Sequence, residues 1–205
     1  MIMENINKFR IILASRSPRR QDLLRELGLN FEVEVREWDE GYPSHLRAEE
    51  IALFVAAAKA ETFGSGIQEN EVVIAADTIV WCNNKVLDKP SDKDDARRIL
   101  KEISGNTHEV ITGVCLLSKT KKLSFYSSTK VTFTELPDEE IEYYISNFRP
   151  YDKAGAYGIQ EWIGLAACSH IDGSYFNVMG LPVEQVYREL KKFIMEKLEK
   201  VPGVG

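Results

Sequence analysis

Residues 10–28, RIILASRSPRRQDLLRELG, place a short apolar run directly before a helix with a clear beginning and end. Ser17 is a preferred N-cap residue, and Pro18 suits the first helical position because an N–H is not needed there. Leucines at helical spacing then form one apolar face, and Gly28 is typical of a helix C-terminus. The stretch therefore predicts a strand, a loop and an amphipathic helix in succession.

The first turn of this helix carries Arg19 and Arg20, where a helix favours acidic residues. The N-terminal end of a helix has a partial positive charge, so each arginine costs roughly a few tenths of a kcal/mol there. Two explanations stay open from these residues alone. Either both side chains extend into water, or an anion binds where free backbone N–H groups and two guanidinium groups would together form a phosphate site.

The rest of the chain mixes strands and helices. We expect strands in residues 31–35 and 71–82 and on both sides of the polar turn 119–122. We expect helices over residues 47–63, 91–105 (capped by Ser91), 137–147 and 181–200, and a strand hairpin around Asp172-Gly173. Because strict β–α–β alternation is absent, we predict an α/β fold with a mixed, elongated and bent sheet flanked by helices. Residues 1–200 should form one domain of two lobes, and residues 201–205 a frayed tail.

The composition excludes several classes of protein. The chain has 205 residues, 44% of them hydrophobic, which suits one domain with a substantial core. The formal net charge of -6 argues against a nucleic-acid coat or a membrane-surface protein, although a few local cations would still bind an anionic substrate. No signal peptide or transmembrane helix is expected. Cys82, Cys115 and Cys168 lack metal-type spacing and are typical of reduced thiols, which makes the cytoplasm the expected compartment.

Asp77 interrupts the apolar run VVIAADTIVW. A buried carboxylate is costly unless it is paired, hydrogen-bonded or bound to a metal. Asp77 could lie at a strand end or bulge and bind backbone amides, which is a structural role. It could instead lie at the carboxyl end of a sheet strand, where ligands of open α/β sheets bind, and there hold a metal or activate a water molecule.

Two loop stretches carry further charged candidates. Residues 86–90, VLDKP, place Lys89 in a loop, either as a solvated lysine or as an anion ligand. Residues 36–40, REWDE, are typical of a solvated acidic surface, and the alternative is that one of the acids is a metal ligand. The spacing of His45, His108 and His170 does not indicate a metal site, and we interpret His108 as structural.

The stretch KAGAYGIQ, residues 153–160, is the least ordinary part of the chain. Its small residues allow a ligand or another backbone to approach closely. Tyr157 offers an aromatic face, and the amide of Gln160 can bind the O/N–H edge of a nucleobase. A tight structural turn is the alternative explanation.

Five motifs occur in a fixed order: SRSPRRQDLL, AADTIV, LDKP, SGNTHEVITGV and YDKAGAYGIQ. Together they resemble the Maf family of nucleoside triphosphate pyrophosphatases, over about residues 11–190. SPRR, ADT and YGIQ are similar to the dTTP/UTP-directed branch, and the branch that acts on methylated purine nucleotides differs at these places. The resemblance implies a single Maf-like domain with a cleft between its two lobes and a fold related to the inosine-triphosphate pyrophosphatases. It also implies hydrolysis between the α- and β-phosphates, which gives a nucleoside monophosphate and pyrophosphate.

The resemblance further implies roles for single residues. Asp77, Lys59, Lys89 and Glu40 match catalytic positions, and Asp77 and Glu40 would also hold a divalent metal, Mg²⁺ or Mn²⁺; Glu40 matches by spacing alone. The substrate-binding candidates are Ser15, Ser17, Arg19, Arg20, Thr78, Lys153 and Gln160. Arg19, Thr78 and Gln160 match positions linked to the choice of base.

Three functions stay open at this point. A pyrophosphatase for dTTP, UTP and modified pyrimidine triphosphates is favoured, because Asp77, Lys59 and Lys89 suit catalysis. The alternatives that the resemblance implies are a nucleotide-binding regulator of cell division or septum formation, and a pyrophosphatase for modified purine nucleotides. The expected partners are the nucleoside triphosphate and a second copy of the chain in a homodimer, with neither nucleic acid nor membrane.

Overall fold

A computed structural model describes residues 5–38 and 41–199. The strands are β1 (Arg10–Leu13), β2 (Glu32–Val33), β3 (Glu71–Cys82), β4 (Lys85–Leu87), β5 (Thr107–Leu117), β6 (Lys122–Phe133) and β7 (Cys168–Asp172). The helices are α1 (Pro18–Glu26), α2 (Glu49–Glu61), α3 (Lys93–Ile103), α4 (Asp138–Phe148), α5 (Trp162–Ala167), α6 (Tyr175–Met179) and α7 (Val183–Glu199), with a 3₁₀ turn at Ala154–Ala156. Each of these helices is too short or too polar to cross a lipid bilayer.

The seven strands form one mixed sheet in the order β2-β1-β3-β5-β6-β7, with β4 paired to β3. Strand β1 is parallel to both β2 and β3, and the pairs β3–β5, β5–β6 and β6–β7 are antiparallel. The predicted mixed α/β sheet flanked by helices is therefore confirmed.

Strand β1 and helix α1 form as their local signals predict. The Ser17 hydroxyl accepts a hydrogen bond from the backbone N–H of Arg20, and Pro18 is the first helical residue. Leu23 and Leu24 are buried, and Gly28 takes a positive φ of 78° just after the helix. Because glycine adopts this backbone conformation without strain, the chain can leave α1 directly into the segment that leads to β2.

Helix α2 packs closely on the middle of the sheet. A Cβ atom at Gly113 on β5 would lie 2.3 Å from the backbone oxygen of Ala52, so only glycine permits this approach. The helix covers β3 and β5 with Ile51, Ala52 and Val55, which are buried. This contact fixes α2 against β3 and thereby positions the C-terminal turn of the helix beside the middle of that strand.

Three details differ from the sequence-based expectations. Strand β2 has two residues instead of five, and Asp92 rather than Ser91 caps α3, because the Asp92 side chain accepts the N–H of Asp95. No hairpin forms at Asp172-Gly173. There, Ser174 caps the short helix α6, since its hydroxyl accepts the N–H of Asn177.

Candidate active site

A cleft of about 740 Å³ lies where β3 changes its pairing partner. Strand β1 pairs with β3 as far as Ile74, and β4 begins to pair at Val80. One edge of β3 is therefore open between these two residues. Successive side chains of a strand point to opposite faces of the sheet, so Asp77 and Thr78 lie on opposite faces. Both nevertheless line the same cleft, at the open edge of β3.

The cleft brings together the residues that the sequence predicts for the site. Its lining includes Ser15, Ser17, Arg19, Arg20, Lys59, Asp77, Thr78, Lys89, Lys153 and Gln160. Glu40, the remaining candidate, lies outside the described residues. The roles assigned to these residues stay predictions.

The lining is positively charged although the chain as a whole is acidic. Among the described residues, seven arginines and lysines line the cleft together with three acidic residues, whereas the whole chain has a net charge of -6. One of these cations, Lys89, has no ion-pair partner in the described parts of the chain. A concave surface lined by an excess of cations attracts and concentrates anionic ligands.

Asp77 lies in the interior of β3, opposite Gly113 of β5, and not at a strand end or bulge. Its carboxylate is paired with Lys59, with 2.6 Å between Oδ1 and Nζ, and both side chains are about one-fifth exposed. Lys59 comes from the last turn of α2, and its ammonium also lies 5.5 Å from the ring centre of Trp38. The ion pair explains how a carboxylate is tolerated in an apolar strand.

Arg20 is bound by the protein itself. Its Nε donates to the Gly180 carbonyl (2.8 Å), and Nη1 donates to the carbonyl of Ala76 (2.9 Å) and the hydroxyl of Ser15 (3.2 Å). Nη2 donates to the Thr78 hydroxyl (2.9 Å). Four of the five guanidinium N–H groups therefore have protein acceptors, and burial lowers the pKa of Arg20. Ala76 lies on the open edge of β3, so its carbonyl has no hydrogen-bond partner on a neighbouring strand. Arg20 supplies that hydrogen bond.

Arg19 crosses the mouth of the cleft instead. Its Nη1 lies 3.0 Å from Oδ2 of Asp152, on the segment that forms the opposite wall. The Arg19 side chain is one-quarter exposed, and Asp152 is mostly exposed. The two arginines of the first turn therefore differ. Arg20 binds acceptors of the protein itself, whereas Arg19 presents its charge to the cleft.

Lys153 lies on the same wall of the cleft as Asp152. It belongs to a network of ion pairs and hydrogen bonds that the sequence did not predict. Its ammonium is 2.7 Å from Asp152 Oδ1 and 3.1 Å from Glu161 Oε1. Glu161 in turn accepts a hydrogen bond from the Tyr144 hydroxyl, which accepts the N–H of Gly158. Glu161 and Tyr144 carry no local sequence signal, because their partners meet only in the folded chain.

One end of the cleft is apolar. Val80 and Val110 are directly paired neighbours on β3 and β5, and both line the cleft with Tyr157 and Met179. The predicted base-reading residue Gln160 lines the same cleft. The lining thus combines a cationic surface with an apolar surface and one side-chain amide, which is suited to a ligand with both a polyanionic and a flat uncharged part.

Comparison with known proteins identifies the family. Residues 10–193 match the model of the family described as Maf-like protein. The chain belongs to the Maf-like protein family. Three relatives of this Maf-like chain are named dTTP/UTP pyrophosphatase. They come from Phocaeicola vulgatus (53% identity, covering 93% of this chain and 100% of the relative), Flavobacterium johnsoniae (49%, 95% and 100%) and Parabacteroides distasonis (47%, 94% and 100%).

Solved structures show only distant likeness to this Maf-like chain. A nucleoside-triphosphatase / dITP/XTP pyrophosphatase from Mycobacterium abscessus has a TM-score of 0.44 at 13% identity, with 95% of this chain and 98% of that chain covered. The Ham1 protein of Staphylococcus aureus has a TM-score of 0.42 at 12% identity, with 60% and 71% covered.

Among the described residues, a divalent metal fits this Maf-like site together with a polyphosphate. The described residues contain no group of three or more His, Cys, Asp or Glu side chains able to hold a metal by themselves. Mg²⁺ is commonly bound by one or two carboxylates together with substrate phosphates and water. Asp77 is such a carboxylate in the cleft, so the donor set suits an ion that arrives with a polyphosphate.

Proposed function

We propose that this Maf-like protein is a nucleoside triphosphate pyrophosphatase that hydrolyses dTTP, UTP and modified pyrimidine triphosphates between the α- and β-phosphates. The products are the nucleoside monophosphate and pyrophosphate. The observation that carries the proposal is the Asp77–Lys59 pair in a cleft that is lined by an excess of cations. The relatives named dTTP/UTP pyrophosphatase, which are about half identical over nearly the whole chain, support the choice of substrate.

The triphosphate is bound by cations that the fold leaves accessible. Lys89 has no ion-pair partner among the described residues, and the partner of Arg19 is the mostly exposed carboxylate of Asp152, which also contacts Lys153. A triphosphate replaces that carboxylate as the counter-charge of Arg19. Positioning and charge neutralisation are the main contributions that a protein makes to phosphoryl chemistry.

Asp77 acts at the α-phosphate. A water molecule attacks the α-phosphorus, its proton passes to the Asp77 carboxylate, and the bond from the α-phosphorus to the bridging oxygen breaks so that pyrophosphate leaves. In the unliganded cleft Lys59 is paired with the Asp77 carboxylate and fixes its position. Mg²⁺ or Mn²⁺, held by triphosphate oxygens and Asp77, would neutralise phosphate charge and lower the pKa of the attacking water.

The base lies in the apolar end of the cleft. Uracil and thymine present a carbonyl next to an N–H, and the Gln160 amide offers one donor and one acceptor to that edge. Cytosine presents an amino group and a bare nitrogen at the same place, which Gln160 meets only by turning over. Gln160 is exposed in the unliganded cleft. A polar group that the bound base buries and leaves unpaired costs about 1–3 kcal/mol, so discrimination against CTP should be roughly ten- to a hundredfold.

A substrate panel tests the proposed function. Values of kcat/KM are measured for dTTP, UTP, CTP, dGTP and ATP with Mg²⁺, with Mn²⁺ and after removal of metal by a chelator. We expect dTTP and UTP to be the best substrates, little discrimination by the sugar and loss of turnover without metal. Preference for a purine triphosphate would contradict the choice of substrate, and the absence of turnover on the whole panel would contradict the enzyme.

The location and assembly of the protein are further proposals. We place it in the cytoplasm, where Cys82, Cys115 and Cys168, all free thiols in the structure, would remain reduced. A homodimer rests on the family resemblance alone.

A further inference from the structure

His108 has one polar contact, and this contact leads to the wall of the cleft. The imidazole is 1% exposed, and its Nε2 lies 2.8 Å from the hydroxyl oxygen of Tyr157. Its Nδ1 has no hydrogen-bond partner. A buried polar atom without a partner is rare in folded proteins, so the Tyr157 bond is what the histidine contributes at this position.

Tyr157 is held by two neighbouring rings and one hydrogen bond. Its ring packs edge-to-face against His108, with ring centres 5.3 Å apart, and against Phe133, at 5.0 Å. Phe133 also packs on His108 at 5.3 Å, so the three rings form a closed cluster. Close-packed aromatic contacts and one hydrogen bond leave the Tyr157 ring a single orientation.

Val80 and Val110 form the apolar floor of the cleft, and the ring of Tyr157 lies above this floor. A Cβ at Gly155 would lie 2.7 Å from a methyl group of Val80, so the segment before Tyr157 rests directly on β3. Val80 is paired with Val110, which lies two residues after His108 and therefore on the same face of β5. Tyr157, Val80 and Val110 all line the cleft. The position of the Tyr157 ring thus sets the space above this floor.

We propose that His108 is a positioning residue for base selection. Through its bond to the Tyr157 hydroxyl it holds the ring at a distance from Val80 and Val110 that admits a single-ring base and excludes a purine. The inference rests on the proposed function, because it assumes that the base occupies the apolar end. Burial keeps the pKa of His108 near 4, so the imidazole is neutral and the contact is the same throughout the neutral range.

Truncation of the histidine should widen the cleft. His108→Ala leaves a cavity beside Tyr157 into which the ring can move. We expect the ratio of kcat/KM for dTTP to that for dGTP to fall about tenfold. Tyr157→Phe removes the hydroxyl and should lower the same ratio by a smaller factor, whereas His108→Gln, which keeps a hydrogen-bonding group, should retain part of the preference. Inhibition by pyrophosphate should stay unchanged, because the phosphates bind elsewhere.

Two control variants separate an effect on base selection from an effect on protein stability. Leu190→Ala truncates a fully buried side chain in a different core cluster, and His170→Ala removes an exposed histidine on β7; neither should change the ratio. If His108→Ala lowers the thermal midpoint as Leu190→Ala does and leaves the ratio unchanged, His108 is a packing residue only. If the wild-type enzyme itself does not distinguish dTTP from dGTP, both this inference and the substrate assignment are wrong. An unchanged ratio in a selective enzyme overturns this inference alone.

Discussion

Lys59 Nζ and Asp77 Oδ1 lie 2.6 Å apart and join the end of α2 to the middle of β3. The pair forms where one edge of β3 is open between its partners β1 and β4. A carboxylate in this gap is accessible from the cleft, and its negative charge is compensated by Lys59. The interaction of Asp77 with Lys59 must be rearranged when a polyphosphate binds.

Asp77→Asn should abolish most of the turnover. The amide keeps the size of the side chain but accepts no proton and binds metal poorly, so kcat should fall by roughly a hundredfold or more. The thermal midpoint should also fall modestly, because the variant leaves the Lys59 charge without its partner. Steady-state kinetics and thermal unfolding check both effects. Asp138→Asn, on the exposed first turn of α4, is the matched control, and a fully active Asp77→Asn would make Asp77 structural.

Arg19→Ala should weaken substrate binding and leave the fold intact. Arg19 is partly exposed and its ion pair with Asp152 bridges the cleft mouth, where surface pairs contribute little to stability. We expect the KM for dTTP to rise about tenfold with a thermal midpoint close to that of the wild type. Arg25→Ala removes a more exposed arginine from the same helix and should change neither quantity. A large loss of stability at unchanged KM is the result that contradicts this role.

Arg20→Lys should have the opposite effect and lower the stability of the protein rather than its affinity for substrate. An ammonium cannot replace the guanidinium contacts to Gly180, Ala76, Ser15 and Thr78 at once. With buried acceptors left unpaired, the free energy of unfolding should fall by about 2–3 kcal/mol. Denaturant unfolding measures it, and Arg19→Lys is the matched control. If Arg20→Lys keeps the wild-type stability and raises only KM, Arg20 is a substrate ligand instead.

The sequence predicts those parts of the molecule that depend on neighbouring residues. Ser17, Pro18 and Gly28 are local signals, and they place α1 correctly. The cleft assignment also follows from the motifs, because they supply the residues that line it. The different roles of Arg19 and Arg20 were beyond sequence reasoning, since Gly180, a main acceptor of Arg20, is 160 residues away along the chain.

Two other features depend on the same long-range geometry. Asp77 was expected at a strand end or bulge, or at the carboxyl end of a strand, but it lies within β3, and only the offset between β1 and β4 opens the strand there. The network of Lys153, Glu161 and Tyr144 forms only when α4 meets the segment 153–161, and no periodicity encodes that contact.

The stability of the protein should depend on pH through His108. Its pKa is lowered to about 4 by burial, whereas the unfolded chain has the ordinary value of 6.5. Between these values the unfolded state binds a proton that the folded state does not. The free energy of unfolding therefore falls as the pH decreases from 6.5 to 4, by about 3 kcal/mol in total at roughly 1.4 kcal/mol per pKa unit.

Denaturant unfolding at pH 7 and pH 5 tests this dependence. His108→Gln carries no titrating group and should lose less stability between the two pH values than the wild type. His170→Gln removes an exposed histidine and should behave as the wild type. Carboxylates such as Glu142, whose pKa is lowered to about 2 by Arg97, lose their contribution only at lower pH. Equal losses in His108→Gln and the wild type would show that His108 titrates normally.

The bond that is cleaved tests the central claim most directly. The purified protein is incubated with dTTP and Mg²⁺, and the products are separated by chromatography and followed by phosphorus NMR over the whole time course. Attack at the α-phosphorus beside Asp77 predicts that dTMP and pyrophosphate appear together in equal amounts, with no dTDP at any time. The successive appearance of dTDP and inorganic phosphate would show cleavage between the β- and γ-phosphates and contradict the account.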